Sequence, residues 1–285
     1  MSISTISWRA RLLTVALTLV IVTSVVVGVA VVRNHHATSD AAALHPASVS
    51  KAMVTISRGQ DRFEPFILPV TPGTSVTWKN NDNVTRTFGT TPDRRSFLNP
   101  QPFSFKVGAG QHATYQFTMP GIYHYYETTK GTWNATFSRV TADNGLRHYP
   151  LSMEGIIWVQ GAIVGLPLSV YNYVLAGHDM FAHEFIAIAV DGAVTWRNTD
   201  TDPHFVGPVA GWSAPVNPVD MGLYRLGGTN EVPGGESVSV IFTTPGLYYY
   251  YCRNHDLVDP PTDRVQARTM ASEYPIPMEG FVLVV

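Results

Sequence analysis

Three stretches of this chain occur twice, in the same order and at nearly constant spacing. Residues 63–82 match residues 181–200 at a shift of 118 positions, and residues 117–123 match residues 242–248 at a shift of 125. The same shift of 125 relates residues 149–155 to residues 274–280. Chance does not keep one register across three blocks, so the sequence indicates two copies of one domain.

The repeat also sets the predicted domain boundaries. Because the second copy runs to Val285, we expect the first copy over residues 51–160 and the second over residues 161–285. Copies of this length are close to the commonest domain size. Residues 34–50 are rich in Ala, Ser, His and Pro and have little to bury, so we interpret them as a linker.

Within each copy, short runs alternate between apolar and polar residues. Residues 169–175 and 237–242 alternate in this way, and Pro-Gly or Asp-Gly turn signals separate such runs. Only 14% of the residues are charged, and no segment after the linker has a sustained helical apolar period. The pattern predicts an all-β fold in which two sheets of each domain pack as a sandwich.

The amino-terminal segment predicts where the domains reside. Residues 12–32 are 21 uncharged apolar and hydroxylic residues, preceded by Arg9 and Arg11. A membrane-spanning helix needs about 20 such residues, whereas a signal-peptide core has about 7–15. We therefore predict that residues 1–33 anchor the chain in the lipid bilayer of the cell membrane as a single pass. A signal peptide cut near residues 41–43 is the alternative, and either one places the domains outside the cytoplasm.

The single cysteine of the chain lies in the second copy. An exported domain with one cysteine has no internal disulfide partner, so the thiol of Cys252 is reactive, intermolecularly paired or metal-bound. His255 follows three positions later, His204 lies upstream and Met278 lies downstream. Thiolate, imidazole and a weak thioether suit copper in a trigonal site, whereas structural zinc takes four strong ligands. These four residues predict one mononuclear copper site per chain.

Two other interpretations of the cysteine compete with the metal site. One is a buried structural cysteine with two unrelated surface histidines. The other is a Cys–His nucleophile, which needs an oxyanion site for which the sequence offers no signature. Nucleic acid is not an expected partner, because the formal net charge is −2 and dense basic patches are absent.

Segments of the second copy resemble the cupredoxins, the plastocyanin-like family of blue-copper domains. The resemblance is carried by residues 194–204, 245–255 and 278–280, which occur in the family's order. It extends over both copies and implies tandem Greek-key β-sandwiches with a type 1 copper near one end of the second. It also implies His204, Cys252 and His255 as strong ligands and Met278 as the weak axial ligand.

The segment between the last two ligands departs from compact members of the family. Twenty-two residues separate His255 from Met278 (278 minus 255, less one), which is a longer loop than those members use. Residues 256–263 are expected to cover the metal or to contact a partner. The same segment contains Met270, a competing candidate for the axial ligand.

The first copy lacks most of the ligand set. Applying the two shifts places Arg86, Glu127 and Lys130 at the positions of the three strong ligands, and Met153 at the position of Met278. Arginine and lysine offer no lone pair at neutral pH, so this copy is predicted to hold no copper. Instead, Arg86, Glu127 and Lys130 are expected to form a cluster of ion pairs.

One-electron transfer between redox proteins at the membrane is the function that this ligand set indicates, and not an enzymatic reaction. A two-domain copper oxidase or nitrite-reductase-like enzyme is one alternative, but it needs a second copper held by further histidines, and the sequence shows no such group. A copper-delivery or interaction module is another. Along residues 248–251, an inward Cys252 predicts Tyr250 in the core and Tyr249 and Tyr251 exposed on the outer face.

Overall fold

Strands form the regular secondary structure of every part of the chain that the structure describes. The computed structural model describes residues 52–143, 151–209, 231–268, 273 and 276–285, which all lie in one unit, residues 46–285. The all-β prediction is confirmed for these residues. The predicted anchor and the whole predicted linker lie outside them, and within them no helix is long and apolar enough to cross a membrane.

The first half of the chain, residues 51–160, forms two main sheets and a hairpin. One sheet has the strand order β2-β1-β4-β7, the other has the order β3-β11-β8-β5-β6, and β9 pairs with β10. The strands are β1 Ala52–Ile56, β2 Phe63–Glu64, β3 Ile67–Val70, β4 Thr74–Asn80, β5 Arg86–Thr90, β6 Ser104–Val107, β7 His112–Phe117, β8 Gly121–Glu127, β9 Gly131–Asn134, β10 Arg139–Ala142 and β11 Glu154–Val159.

The second half, residues 161–285, pairs its strands in a corresponding way. Its main sheets have the orders β12-β14-β18 and β13-β22-β19-β16, with the short pairs β15-β17 and β20-β21. The strands are β12 Ser169–Val174, β13 Phe185–Ile188, β14 Gly192–Asn198, β15 His204–Phe205, β16 Gly207–Pro208, β17 Glu231–Val232, β18 Ser237–Phe242, β19 Gly246–Tyr251, β20 Asp256–Asp259, β21 Arg264–Ala267 and β22 Glu279–Val284.

The two halves share their parallel pairings as well as their order. Strand β1 runs parallel to β4, and β12 runs parallel to β14. Strand β3 runs parallel to β11, and β13 runs parallel to β22. The matching topology agrees with the sequence repeat, while the boundary between residues 160 and 161 stays a prediction.

Each half buries a core of its own between its two main sheets. In the first core, Trp78 lies 5.6 Å from Tyr125, measured between ring centroids. In the second core, Trp196 lies 5.2 Å from Tyr250 in the same edge-on arrangement. Alternation along each strand sends one set of side chains inward, and these large aromatic rings stabilise both sandwiches by burial and edge-to-face contact.

A third apolar cluster takes its members from both halves. The outer faces of β8 and β11 meet those of β13, β19 and β22, so that Phe66 of the first half packs against Tyr249 and Phe281 of the second. Tyr249 stacks on Phe281 at 4.4 Å and is only 2% exposed. The prediction of an exposed Tyr249 is therefore wrong, because the face that points out of its own sandwich is covered by the other half. Tyr251 is partly exposed.

Candidate metal centre

A buried asparagine shapes the loop that carries His204. Asn198 ends β14, and its Nδ2 donates to the carbonyls of Asp202 at 2.7 Å and Val232 at 2.9 Å. Its Oδ1 accepts from the N–H of Asp200 at 2.8 Å. One side chain thus satisfies three backbone groups of a tight connection, which is a common role of asparagine in turns. The loop delivers His204 to the end of the sandwich, where its side chain is fully buried.

The opposite side of the site is the turn that follows β19. The N–H of Cys252 donates to the carbonyl of Met278 at 3.0 Å, and the N–H of His255 donates back to the carbonyl of Cys252 at 3.2 Å. The sulfur of Cys252 accepts from the N–H of Phe205 at 3.2 Å. These backbone bonds place the thiol and both imidazoles at one end of the second sandwich.

The donor atoms of the three side chains converge. From the sulfur of Cys252, the Nδ1 atom of His255 lies at 3.5 Å and the Nδ1 atom of His204 at 3.9 Å. The two imidazole centroids are 4.7 Å apart. One ligand atom from each residue lies within 4.8 Å of the others. Two nitrogens and one sulfur therefore face a common point.

The spacing fits a small metal ion. Bonds of about 2.0–2.1 Å to imidazole nitrogen and about 2.3 Å to thiolate sulfur, at trigonal angles of about 120°, separate nitrogen from sulfur by about 3.7 Å. The observed 3.5 and 3.9 Å lie on either side of that value. Soft sulfur with two imidazoles, joined by no further cysteine or histidine among the described residues, is the donor set that suits copper.

In the metal-free site the imidazole of His204 is ready to accept a cation, whereas the thiol of Cys252 must first lose its proton. Burial raises the pKa of the Cys252 thiol to about 11, although the N–H of Phe205 acts in the opposite direction. Burial, together with the nearby His255, lowers the pKa of His204 below its ordinary value. At neutral pH the site therefore holds a thiol and a neutral His204 imidazole, and a bound cation would stabilise the thiolate that burial disfavours.

Met278 lies beside the cysteine. It is buried in the same core cluster as Cys252, and its N–H donates to Asp256 at 2.9 Å while its carbonyl accepts from Cys252. Both backbone groups of Met278 are thus held by residues flanking His255 in sequence. Met270, the competing candidate, lies outside the described residues.

Three aspartates surround the outer nitrogens of the imidazoles. Asp202 lies 3.5 Å from Nε2 of His204 through Oδ1 and 3.3 Å from Nε2 of His255 through Oδ2. Asp200 lies 3.8 Å from Nε2 of His204, and Asp179 lies 3.4 Å from Nε2 of His255. These carboxylates were not predicted from the sequence as part of the site. The available signal was the Asp-Thr-Asp turn that directly precedes Pro203 and His204.

In the first half, the position of His204 holds a buried ion-pair centre. Nη2 of Arg86 contacts Asp61 at 2.9 Å and forms a short contact with Asp82, and its Nη1 lies 3.8 Å from the sulfur of Met153. Lys130 lies 3.9 Å from Asp61. The guanidinium thus lies at the position that corresponds to His204 and is neutralised by carboxylates.

The prediction that Arg86, Glu127 and Lys130 form one cluster of ion pairs is wrong for Glu127. Glu127 forms no ion pair with Arg86 or Lys130. Its carboxylate accepts instead from the N–H of Thr87 at 2.9 Å and from the N–H and hydroxyl of Thr129 at 2.9 and 2.7 Å. The partners of Arg86 come from other loops, because the backbone donors beside Glu127 already satisfy its oxygens.

A second polar group lies between the two halves. Nε2 of His124 contacts Glu154 at 2.8 Å, and Glu154 also accepts from Arg264 of the second half at 2.7 Å. Arg139 of the first half pairs with Glu184 of the second at 3.0 Å. Burial acts to lower the pKa of His124, but the facing carboxylates of Glu184 and Glu154 outweigh it and raise that pKa.

This interface group is an ionic network that neutralises its own charges. Each of its carboxylates already faces a guanidinium, so a metal ion would have to displace an arginine. Among the described residues, no group of three potential ligands other than the one at Cys252 contains two histidines. The histidine-rich second copper site that an oxidase requires is therefore not found in the described parts of the chain.

No protein-family model matches this chain, and no curated protein matches it either. Solved structures that are similar to it include a purple cupredoxin from Nitrosopumilus maritimus, with 20% identity over 39% of this chain and 100% of that chain, at a TM-score of 0.27. A reduced amicyanin variant is 23% identical over 41% of this chain and 82% of its own, at a TM-score of 0.27. An oxidized amicyanin variant is 22% identical over 41% of this chain and 81% of its own, at a TM-score of 0.26.

Proposed function

We propose that the protein is a one-electron carrier that holds one type 1 copper in its second half. His204, Cys252 and His255 are the proposed strong ligands, and Met278 is the proposed axial ligand. The observation that carries the proposal is the convergence of two Nδ1 atoms on one buried sulfur, at 3.5 and 3.9 Å. Copper bound there would supply a one-electron couple between Cu(I) and Cu(II).

The chain's own residues provide what an electron carrier needs. Backbone hydrogen bonds from Phe205 and to Met278 hold Cys252 in place before any metal arrives, so little rearrangement is needed between oxidation states. The N–H of Phe205 on the sulfur also tunes the thiolate as a donor. His204 is fully buried, whereas the side chain of His255 is 17% exposed. The edge of His255 is therefore the proposed point of contact with a redox partner.

The proposal includes the setting of the carrier. We place two cupredoxin-like domains outside the cytoplasm, tethered to the cell membrane through residues 1–33, with redox proteins of the membrane as partners. The sequence repeat and the corresponding strand pairings support two domains. The tether rests on the 21-residue apolar stretch and would raise the local concentration of the carrier near its partners.

Copper reconstitution of the full-length protein tests the function. We expect one copper per chain, an intense visible thiolate-to-copper band, an EPR signal of one Cu(II) and a reversible one-electron couple. A colourless protein, or copper that a weak chelator removes at once, would contradict the electron-carrier proposal. More than one copper per chain together with turnover of oxygen or nitrite would favour the enzymatic alternative.

Membrane fractionation tests the tether separately. The full-length protein should stay with the membrane pellet after an alkaline wash, and deletion of residues 1–33 should release it to the supernatant. Recovery of the full-length protein as a soluble, shortened chain would instead indicate a cleaved signal peptide.

A further inference from the structure

We propose that Asp202 is a positioning residue that holds the outer nitrogens of both ligand imidazoles and thereby lowers the reduction potential of the centre. The inference rests on the proposed function. It assigns a role to a carboxylate that contributes no ligand atom to the metal.

One carboxylate lies near the outer nitrogens of both imidazoles. Oδ1 of Asp202 lies 3.5 Å from Nε2 of His204, and Oδ2 lies 3.3 Å from Nε2 of His255. The backbone of Asp202 is fixed by the bond from Asn198 to its carbonyl at 2.7 Å. The loop that carries His204 thus fixes the backbone of Asp202 at a position from which its carboxylate reaches both rings.

The outer nitrogen of His204 needs such an acceptor. Nε2 of His204 is fully buried, and no atom lies in hydrogen-bonding geometry to it in this structure. Buried N–H groups in proteins nearly always have a hydrogen-bond partner. The oxygens of Asp200, the other nearby carboxylate, already accept from the N–H groups of Thr201 at 2.7 Å and Gly177 at 3.0 Å. Asp202, whose side chain is 46% exposed, is free to close the remaining gap to His204.

The first half offers an internal comparison. Under the shift of 118, Asp179 corresponds to Asp61 and Asp200 corresponds to Asp82, so both halves carry these two acids. Asp202 corresponds to Val84, which is 47% exposed (202 minus 118 is 84). The third carboxylate is present only in the half whose site contains imidazoles, which need an acceptor for their outer N–H groups.

The chemical effect follows from the hydrogen bond that such a carboxylate accepts. Accepting from Nε2–H fixes the proton on the outer nitrogen and leaves the Nδ1 lone pair facing the sulfur. It also makes the imidazole a stronger donor, which favours Cu(II) over Cu(I). Loss of an outer partner of this kind typically changes metal affinity by about 10-fold or more. A tenfold change in the preference for Cu(II) over Cu(I) corresponds to about 59 mV for one electron.

The two histidines should respond differently, because only one of them has a second acceptor at similar range. Asp179 lies 3.4 Å from Nε2 of His255 and remains when Asp202 is replaced. His204 would keep only the more distant Asp200, at 3.8 Å. The structural consequence of removing Asp202 is therefore expected mainly at His204.

Two substitutions of Asp202 in the full-length protein separate charge from hydrogen bonding. Asp202→Asn removes the charge and keeps an oxygen acceptor, whereas Asp202→Ala removes both. Asp191→Asn is the matched control, since Asp191 is exposed and precedes the opposite end of β14. The reduction potential of the copper-loaded protein is measured by spectroelectrochemistry. The tautomer of each histidine in the copper-free protein is measured by ¹⁵N NMR.

We expect both Asp202 variants to raise the reduction potential by about 59 mV, which corresponds to a tenfold change in the preference for Cu(II) over Cu(I). The reduction potential of Asp191→Asn should equal that of the wild-type protein. In the copper-free protein, His204 should keep its single Nε2–H tautomer in Asp202→Asn and lose it in Asp202→Ala. Potentials equal to that of Asp191→Asn, with the His204 tautomer unaltered in both variants, would overturn the inference. A wild-type protein that binds no copper would instead contradict the proposed function, while the tautomer measurement would still report on Asp202.

Discussion

In the second half, the N–H of Phe205 donates to the sulfur of Cys252, and in the first half the N–H of Thr87 donates to the carboxylate of Glu127. The two pairs correspond under the shifts of 118 and 125. The N–H of residue 252 bonds to the carbonyl of Met278, just as the N–H of residue 127 bonds to that of Met153. One backbone arrangement thus supports two different centres, which are ion pairs around Arg86 in the first half and a thiol with two imidazoles in the second.

The loops leading into the two centres show the same relation. Asn80 donates to the carbonyls of Val84 and Val107 as Asn198 donates to those of Asp202 and Val232. Because the asparagine bonds only to backbone groups, the loop keeps its shape whichever residue it delivers. The first centre is therefore neutralised by its own side chains, whereas the second brings a thiol and two imidazoles to a common point.

Replacing the cysteine should have the largest effect. Cys252→Ser removes the soft ligand, so we expect complete loss of the visible thiolate band and of tight copper binding, measured by absorption titration of the full-length protein. Glu127→Gln, at the corresponding position of the first half, should leave the copper stoichiometry at one. Tight copper binding that survives Cys252→Ser would mean that the metal site lies elsewhere.

Disrupting the ion pairs around Arg86 in the first half should lower the free energy of unfolding without changing the affinity for copper. Arg86→Ala removes the cation that faces Asp82 and one of the two that face Asp61, and breaking a buried ion pair typically costs about 3–5 kcal/mol in the free energy of unfolding. Urea denaturation of the copper-free protein measures the change. Lys79→Ala, exposed on β4, should shift stability by less than about 0.5 kcal/mol. Equal results for the two variants would show that the buried ion pairs do not stabilise the first half.

Breaking the connection between the halves should have a smaller effect. Arg264→Met removes the bond from the second half to Glu154, while His124 remains as a partner of that carboxylate. A lost hydrogen bond to a charged group costs about 1.5–3 kcal/mol. Arg268→Met, exposed just after the same hairpin, is the control. If both variants unfold at the same urea concentration, the arginine does not hold the halves together.

The smallest effect, counted for a single pH unit, is the dependence of copper binding on pH. The thiol of Cys252, with its pKa raised to about 11, is protonated at neutral pH, so copper must release that proton. His204, whose pKa is lowered, stays neutral there and adds no proton. Apparent affinity should therefore rise by about tenfold, or about 1.4 kcal/mol, for each pH unit from about 7 to 10. Competition with a chelator at several pH values measures the slope, and a flat profile would indicate that the bound sulfur is not a thiolate formed from this thiol.

The sequence predicted the features that have a local or periodic signature. Alternation and turns indicated the all-β fold, and the turn after β19 indicated that Cys252 and His255 lie together. The structure brings His204 to the same point, while the role of the three residues as ligands stays a proposal. The contact of Arg86 with Asp61 was not predicted, because an ion pair across 25 residues leaves no local pattern.

The burial of Tyr249 shows a second limit of the sequence. Period-two alternation correctly places Tyr249 on the face opposite to Tyr250, yet it carries no information on what lies against that face. The stacking of Tyr249 on Phe281 and its packing beside Phe66 depend on how the two halves meet. The same holds for Asp179, which reaches His255 from another loop and is linked to the site only by its three-dimensional position.

The hairpin between His255 and Met278 has a mechanical consequence. Strand β21 carries Arg264 and Val265 against the first half, and Asp256 at the start of β20 holds the N–H of Met278. A force that slides one half past the other would pull on this hairpin. The pull would reach both His255 and Met278, because the hairpin lies between them in sequence. The first half would then influence the geometry at the sulfur of Cys252 through the hairpin, although its own side chains lie outside the group formed by Cys252, His204 and His255.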